Sequence, residues 1–165
     1  MNFTSQGRTA QPAPDGGVVL DTHVALEWLW FADARTRALG HCIAQGRRPW
    51  WACSRMTQEW QRVLRRLALA AVQPAQSQAS ISSEEMPCEN SKLAHTQYLQ
   101  HTRVWTPLPP PAPFRCSDPD DQMFIDLALA AGASCLLTRD RALLKLRSRA
   151  RERGVLIGAP EDWSW

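Results

Sequence analysis

The stretch that decides the fold is "CSDPDDQMFIDLALAAGASCLLTRD", Cys116 to Asp140. It contains an acidic opening, an apolar run of helical length, a glycine, and a short apolar strand that leads to another aspartate. A helix followed directly by a buried strand is the repeating unit of a parallel α/β sheet. Carboxylates at the ends of such buried elements repel one another unless a cation or a substrate interacts with them.

Outward from this stretch, the same alternation of short apolar runs and helical patterns continues in both directions. Buried strands are predicted at 18–20, 49–53, 104–106, 134–138 and 155–157. Helices are predicted at 24–30, 34–45, 54–71 and 90–101, with another beginning at Asp140. For the central helix the sequence predicts Asp118 at the N-cap, Pro119 at the first helical position and an end at Ala131. The pattern therefore indicates an α/β fold with a parallel sheet.

The chain of 165 residues is long enough for one domain with a substantial core. Residues 1–17 are polar, with proline and glycine, and are predicted to be a disordered lead-in to a single domain over 18–165. The segment 73–87 is predicted to be a loop. Five cysteines without a CxxC pair predict reduced thiols, and no run reaches the roughly 18 apolar residues of a membrane helix. These features predict a cytoplasmic protein.

The basic residues are concentrated although the net charge is only +3. Between 139 and 153 the chain carries seven basic residues against two acidic ones. Such a segment is typical of a solvated helix face, and it also fits a surface that follows a phosphate backbone. The sequence leaves both interpretations open.

Four acidic residues share a placement at strand ends or on inward helix faces. Asp21 follows the first strand and Asp140 follows the fourth by two residues, where parallel strands line a ligand crevice. Asp121 lies on the same helical line as Phe124 and Ala128, and Glu59 borders the apolar stripe of its helix. We therefore expect the four side chains to converge.

Each acid also has a purely structural interpretation. Asp21, Asp118 and Asp140 suit helix caps, and Glu59 alone suits a surface position. Clustered carboxylates without histidine or cysteine partners are hard oxygen ligands that suit Mg²⁺ or Mn²⁺. Such cations bridge phosphate oxygens and generate a hydroxide-like nucleophile, so the cluster favours phosphoryl or phosphodiester chemistry.

Four pieces of the chain, in this order, resemble PIN-domain nucleases: "VVLDTHV" with Asp21, "SRMTQEWQRVL" with Glu59, "DPDDQMFIDLALAAGA" with Asp121, and "CLLTRDRALL" with Asp140. The closing "VLIGAPEDW" is also similar to the last strand and ending of that family. The "DPDD" and "TRDRALL" pieces most resemble the subgroup of toxin components of bacterial toxin–antitoxin pairs. The resemblance covers the chain from about Val18 to Trp163.

This resemblance implies a three-layer α/β/α sandwich with a central parallel sheet. It also implies cleavage of RNA that depends on Mg²⁺ or Mn²⁺. The acidic quartet of the family corresponds to Asp21, Glu59, Asp121 and Asp140. Asp21, Asp121 and Asp140 are expected to hold the metal, with Glu59 completing the site directly or through water. Thr138 corresponds to the hydroxyl residue that often precedes the last acid by two.

Position and charge indicate further roles, and the resemblance implies partners. Asp118 and His23 are candidates for support of the site or contact with substrate, and Arg139 begins the basic segment that would follow the RNA. His23 stands where many members have asparagine, and Gln122 replaces a residue that is often asparagine. An antitoxin chain and a homodimer are the expected protein partners.

Two other functions remain open from the sequence. A non-catalytic PIN-like module would bind RNA or protein, although such modules are marked by loss of the acids that are all present here. A haloacid-dehalogenase-like phosphatase also begins with a strand that ends in aspartate. That chemistry needs a second aspartate two residues later, where this chain has His23.

Overall fold

The computed structural model describes residues 16–71 and 88–165. The predicted loop over 73–87 and all but the last two residues of the predicted lead-in lie outside the described residues. The described chain forms a five-stranded sheet in the order β3-β2-β1-β4-β5, with every neighbouring pair parallel. Its strands are Val18–Leu20 (β1), Trp50–Cys53 (β2), Thr102–Trp105 (β3), Cys135–Leu137 (β4) and Leu156–Gly158 (β5). The predicted parallel α/β fold is confirmed.

Helices flank this sheet and follow the strands in sequence. Their bounds are Thr22–Leu29 (α1), Arg37–Ala44 (α2), Ser54–Ala71 (α3), Glu89–His101 (α4), Gln122–Ala130 (α5), Arg141–Leu144 (α6) and Arg147–Arg151 (α7). The predicted helix over 34–45 consists of a 3-10 turn, Ala34–Thr36, followed by α2. None of the described helices is long and apolar enough to cross a membrane.

The central helix begins later than the sequence predicts. Helix α5 begins at Gln122, so Asp118 is not its N-cap and Pro119 is not its first residue. The Asp118 carboxylate instead accepts a hydrogen bond from the backbone N–H of Asp120 at 3.0 Å. An aspartate side chain that closes its own turn in this way competes with helix formation. Asp121 consequently lies at the junction of this turn with α5.

The order of the strands places a crevice next to β1. From β1 the chain adds β2 and β3 on one side, and it returns to β4 and β5 on the other side. Ligands of open α/β sheets bind at such a switch point, outside the carboxyl ends of the strands. Leu20 pairs with Leu137 there, and the N–H of Asp21 donates to the Leu137 carbonyl at 3.0 Å. The residues that follow β1 and β4 are thereby held side by side.

Gly16 and Gly17 belong to the folded domain, although the sequence analysis places them in the lead-in. The Gly17 carbonyl accepts hydrogen bonds from the Ser134 N–H at 2.8 Å and from the Ser134 hydroxyl at 3.0 Å. A Cβ atom added at Gly17 would lie 2.4 Å from Nε1 of Trp51. Any larger residue at this position would therefore force the Trp51 indole ring to move.

Aromatic side chains fill the core between the sheet and two of the helices. Trp60 of α3 stacks on Tyr98 of α4 with ring centroids 4.8 Å apart, and Trp50 of β2 meets the same tyrosine edge-on at 5.0 Å. Trp50 and Trp60 are fully buried. All five cysteines are free thiols, and four of them are buried. This packing holds α3, which carries Glu59, against the sheet.

Candidate active site

Asp21 is a buried carboxylate at the switch point of the sheet. It is only 3% exposed and serves as the N-cap of α1, where one oxygen accepts a hydrogen bond from the Val24 N–H at 2.8 Å. Its other oxygen accepts a hydrogen bond from the Thr138 hydroxyl. Burial raises the pKa of Asp21, and these two hydrogen bonds oppose that rise. The capping interpretation of Asp21 is therefore correct.

Thr138 links Asp21 to the second strand-end aspartate. While its hydroxyl donates to Asp21, the same oxygen accepts a hydrogen bond from the Asp140 N–H at 2.9 Å. Asp140 in turn caps α6, because its carboxylate accepts from the Ala142 N–H at 2.6 Å. Asp140 is exposed, in contrast to the buried Asp21. The fully buried Thr138 hydroxyl therefore holds both the Asp21 carboxylate and the Asp140 backbone.

Glu59 reaches the same region from α3. Burial raises its pKa, and a hydrogen bond with the Thr22 side chain lowers it. The charges of Asp21 and Asp120 also raise the pKa of Glu59, whereas that of Arg62 lowers it. Glu59 therefore lies within electrostatic range of the strand-end aspartates, as its place beside the apolar stripe of α3 predicts.

The charges of several other carboxylates act on Asp121. Burial raises its pKa most, and the charges of four other carboxylates raise it further, to a value of about 7. In decreasing order of effect these are Asp140, Asp118, Asp21 and Glu59. Like charges raise the pKa of a carboxyl only when they lie close to it. The charges of Asp21, Glu59 and Asp140, the other three acids identified in the sequence, thus all act on Asp121.

The donor chemistry of this crevice fits a hard divalent cation. Its potential ligands are carboxylate oxygens, and cations such as Mg²⁺ and Mn²⁺ prefer oxygen ligands. Within the described parts of the chain, no three His, Cys, Asp or Glu side chains already lie close enough together to hold a metal ion. The carboxylates are therefore near enough to repel one another but are not arranged as a complete ligand set.

His23 and Asp118 lie at the rim of the crevice. His23 is exposed, and its charge lowers the pKa of Asp21. Asp118 is also exposed, and its charge raises the pKa of Asp121. Both side chains are close enough to influence the site, and neither makes a direct hydrogen bond to the four acids among the described residues.

Arg139 is occupied by two glutamates. Its Nε donates to Glu27 of α1 at 2.7 Å, and its terminal nitrogens donate to Glu161 at 2.5 and 2.8 Å. These carboxylates raise the pKa of Arg139. Because Arg139 stands between Thr138 and Asp140, its two ion pairs brace the turn that carries both site residues. Its predicted contact with RNA stays a prediction, and Glu27 is a supporting residue that the sequence analysis missed.

A second missed network holds the segment before α5. The Gln122 amide donates to Asp126 at 2.7 Å and to the Phe114 carbonyl at 3.2 Å, and its oxygen accepts from the Cys116 N–H at 2.7 Å. Asp126 also accepts from the Ala112 N–H at 2.7 Å. The spacing of four residues between Gln122 and Asp126 is the only signal in the sequence that could have indicated this pair.

The comparison with protein families gives one match. The family model described as PIN domain matches residues 17–142, which is more than half of the chain and includes Asp21, Glu59, Asp121 and Asp140. No curated protein and no solved structure matches the chain.

Thr138→Val tests the link between the two strand-end aspartates. Valine has a similar shape but cannot donate to Asp21, so a buried carboxylate loses a hydrogen bond. We expect a loss of about 1–3 kcal/mol in the free energy of unfolding, measured by urea denaturation. Thr138→Ser retains the hydroxyl and should stay close to the wild type. Equal stability of the valine and serine variants would contradict the link.

Asp121→Asn tests the convergence of charge through its pH dependence. A folded-state pKa of about 7, against an ordinary value of 3.8, means that the charged carboxylate destabilises the fold. The stability of the wild type should therefore fall as the pH rises from 3.8 through 7, while asparagine imitates the neutral acid. In EDTA, the thermal midpoint of Asp121→Asn should exceed that of the wild type above pH 7, and the difference should shrink towards pH 3.8. A constant difference would contradict the raised pKa.

Proposed function

The chain belongs to the PIN domain family, and on this premise we propose that it is a metal-dependent endoribonuclease that hydrolyses RNA phosphodiester bonds. PIN domains are generally nucleases that use divalent metal ions, so the coarse assignment is a hydrolase with a nuclease-type fold. The observation that supports the proposal most is the site at the switch point of the sheet, where Thr138 links Asp21 to Asp140. Burial and the charges of four other carboxylates raise the pKa of the neighbouring Asp121. A site that concentrates negative charge in this way suits a cation and a phosphate.

Asp21, Asp121 and Asp140 would hold Mg²⁺ or Mn²⁺, and Glu59 would complete the site directly or through water. When bound, such a cation activates water for attack on a phosphodiester and stabilises the departing oxygen. The Asp21 side chain is already held in one rotamer, because Val24 and Thr138 donate hydrogen bonds to its two oxygens. Asp121 holds a proton below a pH of about 7 and must release it before it can bind a cation.

We extend the proposal to the biological role that the motifs suggest. The "DPDD" and "TRDRALL" pieces support a toxin component of a toxin–antitoxin pair that acts in the cytoplasm. An antitoxin would pair an arginine or a C-terminal segment with the repelling carboxylates of the crevice, since such charge-assisted hydrogen bonds are strong. A homodimer is the second proposed assembly. Size-exclusion chromatography with light scattering, alone and with the product of the neighbouring reading frame, would test both.

The nuclease itself is tested by cleavage of labelled single-stranded RNA with Mg²⁺, with Mn²⁺ and with EDTA. We expect cleavage with either metal, none with EDTA, and a loss of at least about 100-fold in rate for Asp121→Asn, because the variant lacks a charged metal ligand. Glu152→Gln removes one negative charge from an exposed position and is the matched control.

The outcomes separate the enzyme from a binding module. Metal-dependent cleavage that Glu152→Gln retains and Asp121→Asn loses supports the nuclease and the site together. RNA that is bound but never cut, with affinity unaffected by Asp121→Asn, would instead favour the non-catalytic module.

A further inference from the structure

A cavity of about 960 Å³ lies beside the acidic crevice, between α3 and the proline-rich segment 107–113 that precedes α5. Small-molecule sites typically occupy about 300–1,000 Å³. Its lining combines arginines, carboxylates, prolines and apolar side chains, so both charged and apolar parts of a ligand find partners in it.

One wall of the cavity is a face of α3. Arg55, Glu59 and Arg62 all line the cavity, and their spacing of four and three residues places them on the same side of the helix. Neither arginine makes a hydrogen bond or an ion pair within 16–71 and 88–165, although the charge of Arg62 influences Glu59. The two guanidinium groups are therefore available to an anionic ligand.

A second part of the cavity wall includes a third arginine, Arg115, whose neighbouring backbone is held in place. Arg115 lies between Phe114 and Cys116, whose backbone carbonyl and N–H are both bound by the Gln122 side chain. Asp126 holds the same segment through Ala112. The backbone around Arg115 is thus attached to α5, which makes this wall of the cavity preformed.

The apolar part of the lining lies on this side of the cavity as well. Leu108, which is 48% exposed, lines the cavity, and Met123 lines it from α5. Pro109 and Pro111 add flat, rigid rings. Apolar side chains pack on the faces of bases held outside a duplex, and arginine guanidinium planes stack on bases too.

The cavity continues into the acidic crevice. Glu59 lines the cavity, and its charge also raises the pKa of Asp121. Asp120 lines the cavity and precedes Asp121 in the chain. One strand can therefore place a nucleotide in the cavity and its neighbouring phosphate at the carboxylates.

We infer that this cavity binds one unpaired nucleotide of the RNA, next to the phosphate that is cleaved. Arg55, Arg62 and Arg115 contact its phosphate or stack on its base, and Leu108 and Met123 contact the base. The inference rests on the proposed ribonuclease function and adds that the substrate is single-stranded at this position. It also places the phosphate contacts at the cavity instead of the 139–153 segment, where Arg139 is already paired with two glutamates.

The test measures binding of a short labelled single-stranded RNA by fluorescence anisotropy, with Asp121→Asn as the common background so that the RNA stays intact. We expect Arg55→Ala, Arg62→Ala and Arg115→Ala each to weaken binding by about tenfold. Each arginine that contacts a phosphate should also reduce the slope of log affinity against log salt by about 0.7. Leu108→Ala should weaken binding and leave that slope unchanged.

Matched controls come from the same helix. Arg66→Ala removes an exposed arginine of α3 that does not line the cavity, and Leu69→Ala removes a leucine that is 46% exposed. Both should bind like the background protein, as should Arg149→Ala in the C-terminal basic segment. A fully paired RNA duplex should bind more weakly than the single strand and should be insensitive to Leu108→Ala.

The results separate the cavity from the nuclease activity. Unchanged binding in all three arginine variants, or weakening only by Arg149→Ala, overturns the cavity site even if the wild type cleaves RNA. Equal affinity for duplex and single strand also overturns it. Cleavage that persists in Asp121→Asn would overturn the proposed catalytic site, whatever the cavity variants show.

Discussion

The hydrogen bond from the Thr138 hydroxyl to Asp21 is the contact on which the rest of the site depends. A buried carboxylate is costly, and this bond, with the one from Val24, keeps Asp21 ionisable in a position with almost no solvent. The same hydroxyl accepts from the Asp140 backbone, so it also sets the start of α6. The contact is possible because β1 and β4 are parallel neighbours that end at the same level.

Around this contact the fold adds further negative charge, which the charge of Arg62 offsets in part at Glu59. Asp121 follows the turn that contains Asp118 and Asp120. Glu59 lies on α3, which the Trp60–Tyr98 stack holds against the core. Positive charge lies close by: Arg139 pairs with Glu27 and Glu161, and Arg55, Arg62 and Arg115 line the adjoining cavity. Carboxylates in the crevice and guanidinium groups in the adjoining cavity suit the simultaneous binding of a cation and a phosphate-bearing strand.

Much of this arrangement was predictable because it depends on local pattern. Short apolar runs alternating with helical periodicity predict the parallel sheet, and strand-end positions place Asp21 and Asp140 in one crevice. The start of α5 was not predictable, because Asp118 can cap a helix or close its own turn and the choice depends on packing of the segment before it. The pairing of Arg139 with Glu27 and Glu161, and that of Gln122 with the backbone of 114–116, join parts of the chain that no sequence period connects.

The central claim is that the carboxylates act together on one cation, and titration calorimetry of Mn²⁺ tests it most directly. Measured in buffers of different ionisation enthalpy near pH 7, binding to the wild type should release protons, because Asp121 is partly protonated there. Mn²⁺ binding to Asp121→Asn should be much weaker, and it should not release the proton that Asp121 loses in the wild type. Equal affinity and equal proton release for the two proteins, or no binding by the wild type, would contradict the account.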